Sequence, residues 1–284
     1  MFITIEPIKE LEPFISYYYI MEKRVDDLTL QEPELLMPSG TSIMGFHYSG
    51  NWVCKIKNNT SDKITLPDFY TVGQQTVSYT LTISQTTTGI IGATLKPSAL
   101  WHWLKKPVAF LVNKAVPGQF LFGERFSSIA NTFKNSRNHE QRIELLNTFY
   151  MNLVAQSDYK SGLVEVALDE IFKNNGCVNI QQLLSRTGFK ERSLQKAFKN
   201  QVGISPMQYA RIIRFNNIFV EISKKNDEHD LSFLSLFYNY YDASHLNKDF
   251  KNYCGEAPST FLIEKFRLLH ELVKDKPYLI PVQH

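Results

Sequence analysis

The sequence predicts an α+β chain. A small antiparallel β-sheet or barrel-like domain with flanking helices comes first, then an all-α domain of two helix-turn-helix units joined by a long helix. Three observations predict it. The first third consists of short runs rich in β-branched and aromatic residues, separated by turn-forming clusters. From about residue 157 onward the apolar spacing is helical. Within that second half, one stretch repeats at a constant offset of 52 residues.

The expected strands are 34–37, 42–47, 52–56, 63–66, 69–72, 77–83 and 89–95, parted by clusters such as Pro38-Ser39-Gly40 and Ser49-Gly50-Asn51 and by 58–62. Pro97-Ser98 opens a short helix, 99–105. Segments 127–133 and 140–153 also read as helices, and the stripe Ile143, Leu146, Phe149, Tyr150, Leu153 on the latter either pairs with a second copy or packs on its own domain. After a linker near 157–161, Gly176 ends a helix over 164–174, and Asn179 is a good N-cap for 180–187. Gly188 turns the chain into 191–201, and Ser205-Pro206 opens a long helix to about 223. The run 224–228 is a loop, Asp230 caps 231–238, a turn at 239–242 precedes 243–253, and Pro258 opens a last helix. The expected domains are 1–156 and 157–270, with a tail over 271–284.

Composition narrows the function classes. With 284 residues, 43% of them hydrophobic, the chain can bury two ordinary cores. Its 20 Phe and 14 Tyr argue against long disorder. Cys54, Cys177 and Cys254 are scattered with no CxxC spacing, so neither a disulfide framework nor a zinc site is expected, and a reducing cytoplasm fits. Acidic residues and a proline interrupt the N-terminus, and no apolar run of about 18 residues occurs. The expectation is a soluble cytoplasmic protein without a membrane span.

The repeat aligns Phe198-Lys199-Asn200 with Phe250-Lys251-Asn252, Gly203 with Gly255 and Pro206 with Pro258. Leu194/Leu246 and Lys196/Lys248 extend it upstream. In each unit a short helix leads to a residue tolerant of positive φ, Gly188 or Asn239, and then to a helix with apolar residues at i and i+4 and an outward polar face. That is the mechanics of a helix-turn-helix. Charge agrees with it: within 180–215 seven basic residues face one acidic residue, whereas 1–159 is balanced.

On these residues, 163–264 resembles the DNA-binding domain of AraC-type regulators. The motifs are 188–198, from Gly188-Phe189-Lys190 to Ala197-Phe198, and 240–250, from Tyr240-Tyr241-Asp242 to Asp249-Phe250. Asn239 replaces the usual glycine of the second turn, and Leu184 and Ser235 stand where small alanines usually pack. The resemblance implies base-reading positions Arg192, Gln195 and Lys196 in the first unit, and Ser244, His245, Asn247 and Lys248 in the second. Lys190, Lys199, Arg211 and Lys251 are the expected phosphate contacts. Residues 230–255 carry a slight acidic excess, so the first unit should supply most of the affinity. Double-stranded DNA is the implied partner. RNA polymerase, a small-molecule effector and a second copy of the chain are further candidate partners, and activation is the family tendency.

The N-terminal half looks like the cupin-like sensor domain of such regulators. Its stretches 70–76 and 92–97 resemble one uncharacterised subgroup. Trp52, Tyr70, Tyr79, Trp101 and Trp103 either line a pocket for a small apolar or aromatic ligand or fill the core. His47 and His102 are isolated, with no HxH spacing, so no metal and no other cofactor is expected, and His102 between two tryptophans suggests packing. No catalytic motif is present, and no cysteine sits in an activating motif, so an enzyme is not expected. The alternatives are a DNA-binding regulator whose N-terminal domain is an interaction or dimerisation module without a ligand and, more remotely, a DNA-modifying or repair enzyme.

Overall fold

The structure is a computed structural model that describes residues 1–26, 31–57, 63–157, 159–223 and 231–274, the side chains of Arg125 and Ser128 excepted. The described strands are β1 (Phe2–Ile5), β2 (Ile15–Arg24), β3 (Glu34–Leu36), β4 (Ser42–Ser49), β5 (Trp52–Ile56), β6 (Ile64–Thr65), β7 (Phe69–Val72), β8 (Tyr79–Ile83), β9 (Thr87–Leu95) and β10 (Ala115–Pro117). They form two antiparallel sheets. The larger has the order β1-β2-β9-β4-β7-β10 and the smaller β3-β8-β5-β6.

The larger sheet is buried on both faces. Tyr17, Tyr19, Met21 and Ile90 share a core with Leu35, Trp52 and Leu81 of the smaller sheet. Tyr18, Ile20, Ile91 and Ala93 share a second core with the helices of the N-terminal half. A strand with two buried faces reads as a continuous apolar run rather than an alternation. This is why the alternation pattern misses β2, whose stretch 15–21 is ISYYYIM, together with its edge partner β1. The short edge strand β10 is missed too.

The described α-helices that accompany the sheets are α1 (Ala99–Leu104), α2 (Gly118–Phe122), α3 (Glu124–Asn135) and α4 (His139–Ala155). Asn138 caps α4 by accepting a hydrogen bond from the Gln141 amide at 2.9 Å. The α4 stripe is spent on its own domain, with Leu146 and Tyr150 fully buried against the sheet.

The second half is helical: α5 (Leu163–Lys173), α6 (Ile180–Thr187), α7 (Glu191–Gln201), α8 (Pro206–Ser223), α9 (Leu231–Phe237), α10 (Ala243–Cys254) and α11 (Arg267–Lys274). Asn179 and Gln182 form the expected reciprocal cap on α6, at 2.7 and 2.9 Å. The Ser205 hydroxyl accepts from the Gln208 amide and Pro206 opens α8. Pro258 opens no helix. Ala257 stands where the first unit has Ser205, and it offers no side-chain acceptor. A single turn closes on the Ala257 carbonyl, and helical structure resumes at the short 3-10 segment Ile263–Lys265 and at α11. α11 therefore runs across the boundary expected at 270. The expected loop at 224–228, the cap Asp230, the turn at 58–62 and residues 275–284 lie outside the described residues.

The core between the two sheets continues without a break into the C-terminal helices. The Tyr209 hydroxyl of α8 donates to the Gly40 carbonyl at 3.0 Å, and the Leu268 amide at the start of α11 donates to Glu34 Oε2 at 2.9 Å.

Candidate nucleic-acid interface

The first unit is α6, a turn and α7. The turn needs a left-handed residue, and Gly188 supplies it with φ 68°, its amide donating to the Leu184 carbonyl. α7 buries Leu194 and Phe198, one turn apart on the same face. That choice leaves Arg192, Gln195, Lys196 and Lys199 exposed on the opposite side, with Lys190 exposed at the N-cap. Gln195 Nε2 donates to Glu191 Oε1 at 3.0 Å along the helix surface. The end of α7 is fastened to the N-terminal half, where the Val108 amide donates to the Asn200 carbonyl at 2.8 Å. Arg186, part of the basic excess, pairs instead with Glu170 at 3.2 Å.

The second unit is α9, a turn and α10. Asn239 takes φ 54°, and the Tyr240 amide reaches back to the Ser235 carbonyl at 2.7 Å, closing α9 as a Schellman motif. α7 begins at 191 and α10 at 243, an offset of 52, but the left-handed residues are 51 apart, so the second turn is one residue longer. Asp242 caps α10 by accepting from the His245 amide at 2.7 Å. Leu246 and Phe250 are buried, Ser244, His245, Lys248 and Lys251 are exposed, and Asn247 is half-buried. Ser235 is buried with its hydroxyl on the Ser232 carbonyl, and Leu184 is half-buried.

Arg211 departs from the phosphate expectation. Its Nε donates to Asp249 Oδ2 at 3.0 Å and its Nη2 to Asp249 Oδ1, and Asp249 is fully buried. The Tyr240 hydroxyl also donates to Asp249, at 3.1 Å. Hydrogen bonding to this carboxylate pushes the Arg211 guanidinium further up. Arg214 stacks over the Tyr240 ring at 4.3 Å and donates to the Asn239 carbonyl. These contacts tie the long helix α8 to α10 and fix how the second unit sits. One signal was present in the sequence. Position 249 falls on the apolar stripe 246/250/253, and a charge on a buried stripe needs a partner.

Between the two sheets lies a cavity of about 430 Å³ whose lining includes Tyr70 and Tyr79. The other three aromatics are elsewhere. Trp52 is buried beside His47, Trp103 stacks on Phe14 and Tyr150, and Trp101 packs against the second core. His47 accepts from the Trp52 amide through Nε2 and donates through Nδ1 to the Pro67 carbonyl at 3.0 Å. Burial holds its pKa down to about 4, so it is neutral. His102 does more than pack: its Nε2 lies 3.3 Å from Glu165 Oε1, joining α1 to α5. Burial raises all three cysteine thiols, Cys54 to about 11. Among the described residues no three His, Cys, Asp or Glu side chains gather as a metal set, and no helix is long and apolar enough to cross a membrane.

Residues 183–263 match the profile of a helix-turn-helix domain family, and residues 3–117 match a family described as a domain of unknown function, DUF6597. The multiple antibiotic resistance protein MarA of Salmonella typhimurium is 24% identical over 107 residues, which is 38% of this chain and 78% of that protein. ToxT from Vibrio cholerae O395 aligns over 93% of this chain and all of its own at 13% identity and a TM-score of 0.44. The AraC-like transcriptional activator CuxR aligns over 72% of this chain and 74% of its own, at 14% identity and a TM-score of 0.23.

Proposed function

We propose that this chain, whose residues 183–263 form an AraC-type helix-turn-helix domain, is a sequence-specific transcription regulator, that α7 is its principal reading helix, and that its N-terminal domain senses a small molecule. The observation that carries the DNA-binding reading is the side on which α7 is charged. Leu194 and Phe198 fasten it to the core, so Arg192, Gln195, Lys196 and Lys199 project together from the opposite face. A helix of this width enters the major groove, where Arg and Lys suit guanine and Gln suits adenine. Lys190 and Lys199 flank the reading positions as phosphate contacts, with Lys251 doing the same for α10. Ser244, His245, Asn247 and Lys248 read in the second unit, and Arg211 acts by positioning it.

The cavity supports sensing over an interaction module without a ligand, because a solid core would leave nothing to bind. We take activation, through contact with RNA polymerase, as the sense of regulation. It rests on the AraC-type resemblance alone, and a promoter–reporter assay with and without the gene tests it.

Selection of the full chain on random duplex DNA across a salt series tests the DNA-binding reading. Enrichment of two short motifs about 10 bp apart is the expected result. Salt-sensitive binding with no enriched motif leaves only the phosphate contribution and refutes sequence-specific reading.

A further inference from the structure

Sensing by the N-terminal domain leaves open what is sensed and how the DNA-binding half learns of it. The floor of the cavity answers the first part. One row across the larger sheet reads Tyr19, Gly92, Gly45, Tyr70, paired in register on four successive strands. The two central glycines have no side chain, and the tyrosine rings lie flat over them. A Cβ at Gly92 would fall 2.0 Å from Tyr19 Cζ, and one at Gly45 would fall 2.5 Å from Tyr70 Cζ. The result is a smooth aromatic shelf with phenolic hydroxyls. Burial holds the Tyr19 and Tyr70 phenols protonated, so the shelf is polar but uncharged. The rest of the lining is mostly aliphatic, and among the described residues its one charged member, Lys114, is exposed. A charged ligand buried here would meet no opposite charge deep in the site among the described residues. An uncharged apolar molecule with one or two hydrogen-bonding groups would find its partners in the phenols.

The roof and one wall answer the second part. Leu268 and Leu272 of α11 line the cavity as its roof, and α11 lies beyond the end of the helix-turn-helix match at 263. The wall contributed by Leu36, Met37, Ser39 and Thr41 has the DNA-binding half on its other side. The Cys254 thiol at the end of α10 lies 3.2 Å from Met37 Sδ. Tyr209 of α8 donates to the carbonyl of Gly40, and its side chain and that of Ile213 crowd that glycine. A second wall residue, Ile56, is followed by Lys57, whose ammonium donates to the Lys251 and Asn252 carbonyls at 2.6 and 2.7 Å and so caps α10. Anything that moves this wall moves the seat of the second reading helix, and α11 is tied to the strand that leads into the wall, since the Leu268 amide donates to Glu34 Oε2.

We propose that the cavity binds an uncharged apolar small molecule, and that its occupancy is transmitted to α10 through the α11 roof and the wall formed by residues 36–41. The inference rests on the sensing role above. It makes coupling reciprocal, since a ligand that favours one seating of α10 is itself bound better when DNA favours that seating.

The test uses the full chain and two dyes of one skeleton. N-phenyl-1-naphthylamine is uncharged, and 8-anilinonaphthalene-1-sulfonate carries a sulfonate. The uncharged dye should bind saturably, one per chain, and the sulfonate about tenfold or more weaker. Ala115→Trp, which fills the cavity from the edge strand β10, should abolish that difference and weaken the uncharged dye about tenfold or more, with unchanged circular dichroism. Leu272→Ala is the second variant, and it should alter dye affinity by removing part of the roof. Hydrogen exchange should change about fivefold on dye binding in 267–274 and at the end of α10, a readout that needs no DNA. No saturable binding, equal binding by both dyes, wild-type binding in both variants, or binding without any change in exchange at α11 and α10 would each overturn the proposal. DNA binding measured without dye is a separate assay, so loss of the DNA-binding reading and loss of this inference give different results.

Discussion

Replacing Arg211 with alanine separates two jobs that one arginine can do. Asp249 is fully buried and accepts from Arg211 Nε and Nη2 and from the Tyr240 hydroxyl. After Arg211→Ala, a buried carboxylate keeps one neutral donor. Removing one partner of a wholly buried pair costs about 3–5 kcal/mol. Here the arginine side chain is 43% exposed, so water replaces part of what it supplied, and the expected loss is about 2–3 kcal/mol. Urea unfolding of the full chain at pH 7, followed by circular dichroism, measures it. Asp249→Asn should cost a similar amount, and the two losses should be far from additive in the double variant, because both break one contact. The paired replacement Arg211→Leu with Asp249→Leu should recover much of the loss. The salt dependence of DNA binding should keep its slope. A stability change under about 0.5 kcal/mol, together with a salt slope reduced by about one, would refute the positioning role and return Arg211 to the phosphate backbone.

Arg192→Ala should weaken binding to a selected duplex by about 1–3 kcal/mol and relax preference at one base position, whereas Lys199→Ala should lower affinity evenly and reduce the salt slope by about one, both read by titration of labelled duplexes. His47 is neutral in the fold with a pKa near 4 against an ordinary 6.5, so the unfolded chain takes up its proton first as pH falls. Its contribution is complete above about pH 6.5 and is lost toward pH 4, amounting to about 3 kcal/mol, and unfolding of His47→Gln across that window should lack this slope. Asn239→Val forces a β-branched residue into the left-handed region and should cost about 1–2 kcal/mol in urea unfolding, while Asn239→Gly should be tolerated; equal stability of the two would contradict the turn assignment.

Local chemistry made much of the C-terminal half readable. A left-handed residue at 188 or 239 leaves little choice but Gly or Asn, and a cap at 179 or 205 needs a short side-chain acceptor. The i, i+4 pairs Leu194/Phe198 and Leu246/Phe250 fix which face of each helix is buried, and therefore which residues are left exposed on the other side. These are properties of a few neighbouring residues, so a linear string carries them. Pro258 misled because the same proline serves as a helix start or a turn according to the residue before it, and Ala257 is not Ser205.

What the string could not carry depends on distant segments meeting. β2 is hidden because burial on two faces erases alternation, and only the sheet order says that both faces are covered. In sequence Trp52, Trp101 and Trp103 fit a pocket wall or a core equally, and only packing keeps them out of the cavity between the sheets and puts Tyr19 and Tyr70 there over two cross-strand glycines. Arg211 looks like a phosphate contact until Asp249, 38 residues away, is found beneath it. The sequence by itself determined the two helix-turn-helix units and the charged face of α7, because caps, turns and helical periodicity are short-range. The cavity, its α11 roof and the ion pair that seats α10 were decided by tertiary structure, because each exists only where residues far apart in the chain come together.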